Sequence, residues 1–206
     1  MKNIVVLLYS MILLGCNSRQ NTTSKFVYDK GLIGKEDKRN DSVYSISICK
    51  KGDSLLKNTS KSDIDVYVRT KKKIIKINNG NWPESIEITY NFIQQLQKPI
   101  LFLEIPFSES GDWNNVYIYY FDSMGHTRAI KIVSSFFNSI CVNGPLIEET
   151  VFLYDAKFNQ VSKTYKLHDD KGNPIADTSK CIFNYRFDFP IYKSYSLTPL
   201  YQIQKL

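Results

Sequence analysis

Three times in its C-terminal half the chain runs through β-branched and aromatic residues, stops at an aspartate, spends three residues and starts again. The segments are Tyr120-Phe121-Asp122-Ser123-Met124-Gly125-His126, Leu153-Tyr154-Asp155-Ala156-Lys157-Phe158-Asn159 and Leu167-His168-Asp169-Asp170-Lys171-Gly172-Asn173. An aspartate opening a turn can accept the backbone N–H two residues on, and Gly or Asn tolerates the left-handed conformation that closes a tight hairpin. Hairpins in series make sequence neighbours into sheet neighbours, so the pattern predicts an antiparallel meander. The uneven spacing between the three excludes a solenoid.

Alternation supplies the strands. Phe183, Tyr185, Phe187 and Phe189 alternate with Asn184, Arg186 and Asp188, and Val161, Lys163, Tyr165 and Leu167 alternate with polar neighbours. Residues 116–121 are apolar without a break, which reads as a central strand covered on both faces. Further strands are expected at 43–48, 64–68, 73–77, 100–105, 130–137 and 150–154. The segment 83–98 fits two periods at once, since Ile86, Ile88 and Tyr90 alternate while Ile86, Tyr90, Ile93 and Leu96 share a helical face. It is read as strand through Tyr90 and as a short helix over 91–97. With 206 residues, 43% of them hydrophobic, and no Pro/Gly/Ser linker, one core is expected. The fold class is therefore mainly β: a single domain over 43–206 with an antiparallel meander sheet in one or two layers and at most one short helix.

The first sixteen residues follow a different logic. Lys2 precedes an apolar stretch, residues 4–14, that closes on Leu13-Leu14-Gly15-Cys16. That length suits the ~7–15-residue core of a secretory leader and falls short of the ~20 residues of a spanning helix. The segment resembles the lipobox of bacterial lipoproteins. The resemblance implies cleavage of residues 1–15, diacylation of the Cys16 thiol and a membrane partner reached through those acyl chains. One chain anchors marginally, whereas two or three hold a protein durably. Residues 17–24 are polar throughout, so 16–42 is expected to be a solvated tether. In such families an aspartate after the cysteine favours the inner membrane, and an acidic cluster favours the surface of Bacteroidetes-type cells. Here Asn17 follows and no acidic cluster does. The expected address is the outer membrane facing the periplasm, with the cell surface as the alternative.

The formal charge is +7, and the excess gathers at Arg69, Lys71, Lys72, Lys73 and Lys76. No stacking aromatics or known module interleave these residues, so no nucleic-acid partner is expected. Lysines guarding an edge strand account for them better. With Cys16 acylated in an oxidising compartment, Cys141 and Cys181, each beside a strand of the same sheet, are the expected disulfide, and Cys49 reads as a small buried residue. No C-x-x-C pair occurs, and His126 and His168 read as solvated loop residues, so no metal or other cofactor is expected.

The loop 104–115 is the best candidate binding loop, with Glu104, Glu109 and Asp112 beside hydroxyls and Trp113 able to stack on a sugar or an aromatic group. Paired carboxylates perform glycosidic chemistry only at a set separation. There is no G-x-S-x-G elbow, H-E-x-x-H pair or phosphate loop, so no catalytic residue is assigned. Asp41-Ser42-Val43, Asp53-Ser54-Leu55 and Asp122-Ser123-Met124 resemble the Asp-Ser-aliphatic O-glycosylation acceptor of Bacteroidetes, and are expected at loops or strand ends. The domain is similar to small β-rich lipoproteins of that group, on the strength of its Tyr-Phe-Asp-x-x-Gly turn and Ser-Gly-Asp-Trp loop. The expected function is a lipid-anchored, non-catalytic binding module with a protein or glycan partner. A periplasmic immunity or inhibitor protein and an envelope hydrolase are the alternatives.

Overall fold

Asp122, Asp155 and Asp169 each close the turn their spacing predicts. One carboxylate oxygen accepts the N–H groups two and four residues on: Met124 and His126 at 2.9 and 3.0 Å, Lys157 and Asn159 at 2.9 and 2.7 Å, Lys171 and Asn173 at 2.9 and 2.7 Å. The residue between each pair is left-handed: Gly125 (φ 79°), Phe158 (φ 64°) and Gly172 (φ 85°). Phe158 bears that conformation without glycine's freedom, and its ring stacks on Tyr154 with centroids 4.1 Å apart.

The computed structural model describes residues 35–60, 63–78, 80–137, 142–176, 178, 181 and 188–204. Helix α1 (Lys35–Asn58) precedes β1 (Asp65–Arg69), β2 (Ile74–Lys76), β3 (Ile88–Gln95), β4 (Lys98–Pro106), β5 (Trp113–Phe121), β6 (Thr127–Phe136), β7 (Leu146–Tyr154) and β8 (Gln160–Asp169). A 3-10 turn, Tyr195–Leu197, and a short helix α2 (Pro199–Gln204) end the chain. The strands form one eight-stranded sheet in the order β2-β1-β3-β4-β5-β6-β7-β8. All neighbours are antiparallel. The mainly β, antiparallel meander architecture is thus the one expected. Lys71, Lys72 and Lys73 are exposed beside β2, the outermost strand, where lysine discourages edge-to-edge pairing.

Two local assignments change. Residues 43–48, expected as a strand, belong to α1, which begins inside the stretch read as tether. The buried positions Ser45, Cys49, Gly52 and Leu56 recur at helical spacing, while Val43 and Ile46 face outward at 61% and 37% exposure. The docking face of α1 therefore mixes small residues, Ser45, Cys49 and Gly52, with Leu56 and the partly buried Ile48 and Leu55. Residues 91–97, expected as a helix, instead finish β3 and enter a two-residue hairpin. Leu96 and Gln97 both have positive φ (52° and 61°), the geometry of a tight primed turn. The strand expected at 183–189 falls largely on 182–187, outside the described residues.

The two faces of the sheet differ in chemistry. On one, Leu101, Leu103, Val116, Ile118, Ala129, Val133, Ile147 and Val151 pack with Cys49 and Leu56 of α1. Cys49 is buried there, as expected. Lys131, 1% exposed, lies under the helix with its Nζ 3.3 Å from Glu149 and 3.6 Å from Asp53. The Tyr120 hydroxyl donates to the other oxygen of Asp53 at 2.5 Å, so the helix is pinned through a buried polar cluster. On the opposite face Tyr90, Phe92, Phe102, Tyr117, Tyr119 and Phe121 form an aromatic layer. The C-terminal segment 188–204 straps over it. Phe189 stacks on Tyr117, Tyr195 stacks on Phe92 at 5.0 Å, and Leu200 is fully buried. The strap is held by Thr127, whose hydroxyl donates to the Tyr192 carbonyl at 2.6 Å and whose N–H donates to that of Lys193 at 3.1 Å.

Candidate functional site

The residues expected to form a binding loop are distributed rather than gathered. Glu104 lies on β4 in the aromatic face and is 4% exposed. Glu109 is exposed in the β4–β5 loop, and Asp112 is half-buried at its end. The loop is shaped by its own hydroxyls, since Ser108 accepts the Gly111 N–H at 3.1 Å and Ser110 accepts that of Asp112 at 3.3 Å. Trp113 opens β5 and packs half-buried beside Phe136, Leu146 and Leu167. Cys16 and Cys141 lie outside the described residues, and the expected Cys141–Cys181 bridge falls outside them with Cys141. Cys181 is half-buried against the same small cluster as Trp113. His168 is buried rather than solvated, with Nδ1 2.7 Å from the Asp169 carbonyl oxygen. Asp41-Ser42 and Asp53-Ser54 sit within α1 rather than in loops, whereas Asp122-Ser123 does occupy a turn.

Glu104 stands in a row of side chains that crosses most of the sheet. Antiparallel register aligns Tyr67, Tyr90, Glu104, Tyr117, Ile132, Thr150 and Tyr165. The Tyr192 hydroxyl donates to Glu104 Oε2 at 3.2 Å. Burial raises the Glu104 carboxyl above its ordinary value, with the Tyr192 bond and the Arg69 charge opposing. Burial and the Glu104 charge push the phenols of Tyr90 and Tyr117 up to about 12. Tyr119 and Tyr192 are raised for the same two reasons. Glu104 is a strap anchor inside a tyrosine cage, an enclosed position for a group that would have to meet substrate.

Beyond Tyr117 the same face opens into a groove of about 270 Å³. Its floor follows from the register of β5 to β8. One row runs Asn115, Ser134, Glu148; the next runs Tyr117, Ile132, Thr150, Tyr165; a third brings Phe152 opposite Lys163. Phe189 of the strap forms a wall, stacked 5.4 Å from Tyr117. On the other side lies the small apolar cluster of Trp113, Phe136 and Leu146, one register row further along. The groove is thus a polar strip between two hydrophobic clusters.

Asn115 distinguishes this strip. It is 1% exposed, and among the described residues neither its Nδ2 nor its Oδ1 has a hydrogen-bond partner. Most buried polar side chains in native proteins are satisfied, and an unmet amide costs about 1–3 kcal/mol. Sequence reading missed Asn115 because it was counted with the loop before residue 116. Its only signal, an asparagine in step with inward-facing Tyr117 and Tyr119, becomes visible once β5 is known to begin at Trp113.

Among the described residues there is no cluster of three or more His, Cys, Asp or Glu able to hold a metal ion. No described helix is long and apolar enough to cross a membrane. The chain matches no protein-family model, no curated protein and no solved structure.

Proposed function

We propose that this chain is a lipid-anchored protein of the bacterial cell envelope whose β domain binds a partner rather than transforming one. The observation that carries the anchor is the run Leu13-Leu14-Gly15-Cys16 behind a charged start and a short apolar stretch. Acylated at Cys16, the protein sits on the outer membrane facing the periplasm, with the polar residues 17–24 as leash. The binding reading is supported by the groove beside Tyr117 and by the unmet amide on its floor. A hydrolase using Glu109 and Asp112 would need the two carboxylates to face a shared substrate across a cleft, whereas Glu109 is exposed in the β4–β5 loop and neither acid lines the groove.

Metabolic labelling with radioactive palmitate tests the anchor. Wild-type protein takes up label and sediments with the outer membrane, whereas Cys16→Ala does neither. Equal labelling of the two, or none in either, overturns the proposal.

A further inference from the structure

We infer that the groove floored by Asn115 is a saccharide site that seats one neutral sugar ring. The inference rests on the binding reading above and gives it a ligand and a place.

Asn115 carries two N–H donors and a carbonyl acceptor, all buried and all unpaired among the described residues. Leucine has a similar size and would fill this position without the unmet groups, so folding alone gives no reason for an amide here. A ligand that satisfies both ends of the amide along one edge must donate and accept at adjacent atoms. Neighbouring sugar hydroxyls do that. Ser134, directly opposite Asn115 in the ladder, and Thr150 in the next row add hydroxyls of the same dual character.

The remaining surface is apolar and planar. Phe189 stacks on the buried ring of Tyr117 with 18° between their planes and is tilted 33° against Phe152, so the half-buried rings of Phe189 and Phe152 are the ones left to the groove. Such rings accept the C–H face of a sugar while the hydroxyl edge turns to the amide. The charges do not ask for an ion, since Glu148 and Lys163 offer one of each sign from different rows. Lys163 already lies 5.3 Å over the Phe152 ring. A groove of about 270 Å³ sits just below the ~300 Å³ where ordinary ligand pockets begin, a size for one ring.

An extended peptide fits less well. Backbone donors and acceptors of β5, β6 and β7 are spent on in-plane pairing with neighbours on both sides. A peptide laid on this face would therefore leave its own N–H and C=O groups unmet above aromatic rings.

The test uses the whole acylated protein in a detergent without a sugar headgroup, applied to an array of neutral glucan, mannan, galactan and chitin oligosaccharides. At least one is bound, and Asn115→Leu loses at least tenfold in affinity while its thermal midpoint rises by several degrees, because the unmet amide is gone. Phe189→Ala, a change at the half-buried wall, gives a similar loss without touching the amide. Failure of every oligosaccharide to bind wild type, or equal binding by both variants, overturns the inference. So does a lower midpoint for Asn115→Leu, which would give the amide a role in the fold. A peptide bound by wild type and lost in Asn115→Leu refutes the saccharide but keeps the binding reading. Acylated protein that captures no partner of any class refutes that reading as well.

Discussion

Replacing Gly52 with alanine sets two effects of opposite sign against each other. In an exposed helix interior the change stabilises by about 1 kcal/mol. Gly52 lies instead where α1 meets the sheet, and a Cβ there would stand 2.6 Å from Tyr120 Cδ1 and 2.9 Å from Leu101 Cδ2. Carbon contacts prefer about 3.5–4.0 Å, so something must move by roughly an ångström. Tyr120 and Leu101 are both fully buried, and the Tyr120 ring is tied by its hydroxyl to Asp53. Overpacking of this kind costs about 1–3 kcal/mol, and breaking a hydrogen bond to a charged group costs about 1.5–3 kcal/mol. Less the helix gain, the net expectation for Gly52→Ala is a loss of about 1.5–5 kcal/mol, read as a lower urea midpoint with an unchanged slope. In a Tyr120→Leu background the ring and its tie are gone, and the same substitution becomes neutral or stabilising. A higher midpoint for Gly52→Ala in the wild-type background would refute the docking of α1 through this glycine.

Three further outcomes follow from the buried charges and phenols. Lys131→Met removes the buried cation between Asp53 and Glu149, leaving Glu149 only the half-exposed Lys166 at 3.9 Å, and costs about 3–5 kcal/mol in urea unfolding; a loss below about 1 kcal/mol contradicts the cluster. The raised Glu104 carboxyl makes the folded state the better proton binder, so its cost is absent below the unfolded value and complete above the folded one. Glu104→Gln keeps an acceptor for Tyr192. It therefore matches wild type in strong acid and becomes the more stable of the two as pH rises towards neutrality, whereas parallel stability profiles refute the assignment. Tyr90 and Tyr117, pushed up to about 12, each remove about 1.4 kcal/mol of stability per pH unit above 10, because the unfolded chain ionises first. Phenolate absorbance should then appear together with loss of structure, while smooth titration of a folded protein contradicts the enclosed face.

What was legible in the sequence was chemistry confined to a few neighbouring residues. Asp122, Asp155 and Asp169 announce their turns because the aspartate, its N–H donors and the left-handed position lie within five residues. The β3–β4 hairpin lacked that announcement, since Leu96 and Gln97 adopt positive φ with neither Gly nor Asn present. Helix α1 was obscured because periodicity weights large apolar residues, whereas this helix buries Ser45 and Gly52 and turns Val43 outward. Close approach to the sheet selects small side chains there, and the Ser45 hydroxyl donates to the Tyr154 carbonyl at 2.7 Å. The candidate loop was found in part. Glu104 and Trp113 do lie on the aromatic face, but the register that places Asn115 opposite Ser134 is a property of paired strands, which no single segment encodes.

Intact mass and N-terminal peptide analysis of protein extracted from its own cells tests the anchor most directly. A polypeptide that starts at Cys16 and carries the mass of a thioether-linked diacylglycerol, with or without a third acyl chain on its amine, is the expected result. A chain that still begins at Met1, or one that starts at Cys16 with an unmodified thiol, contradicts it.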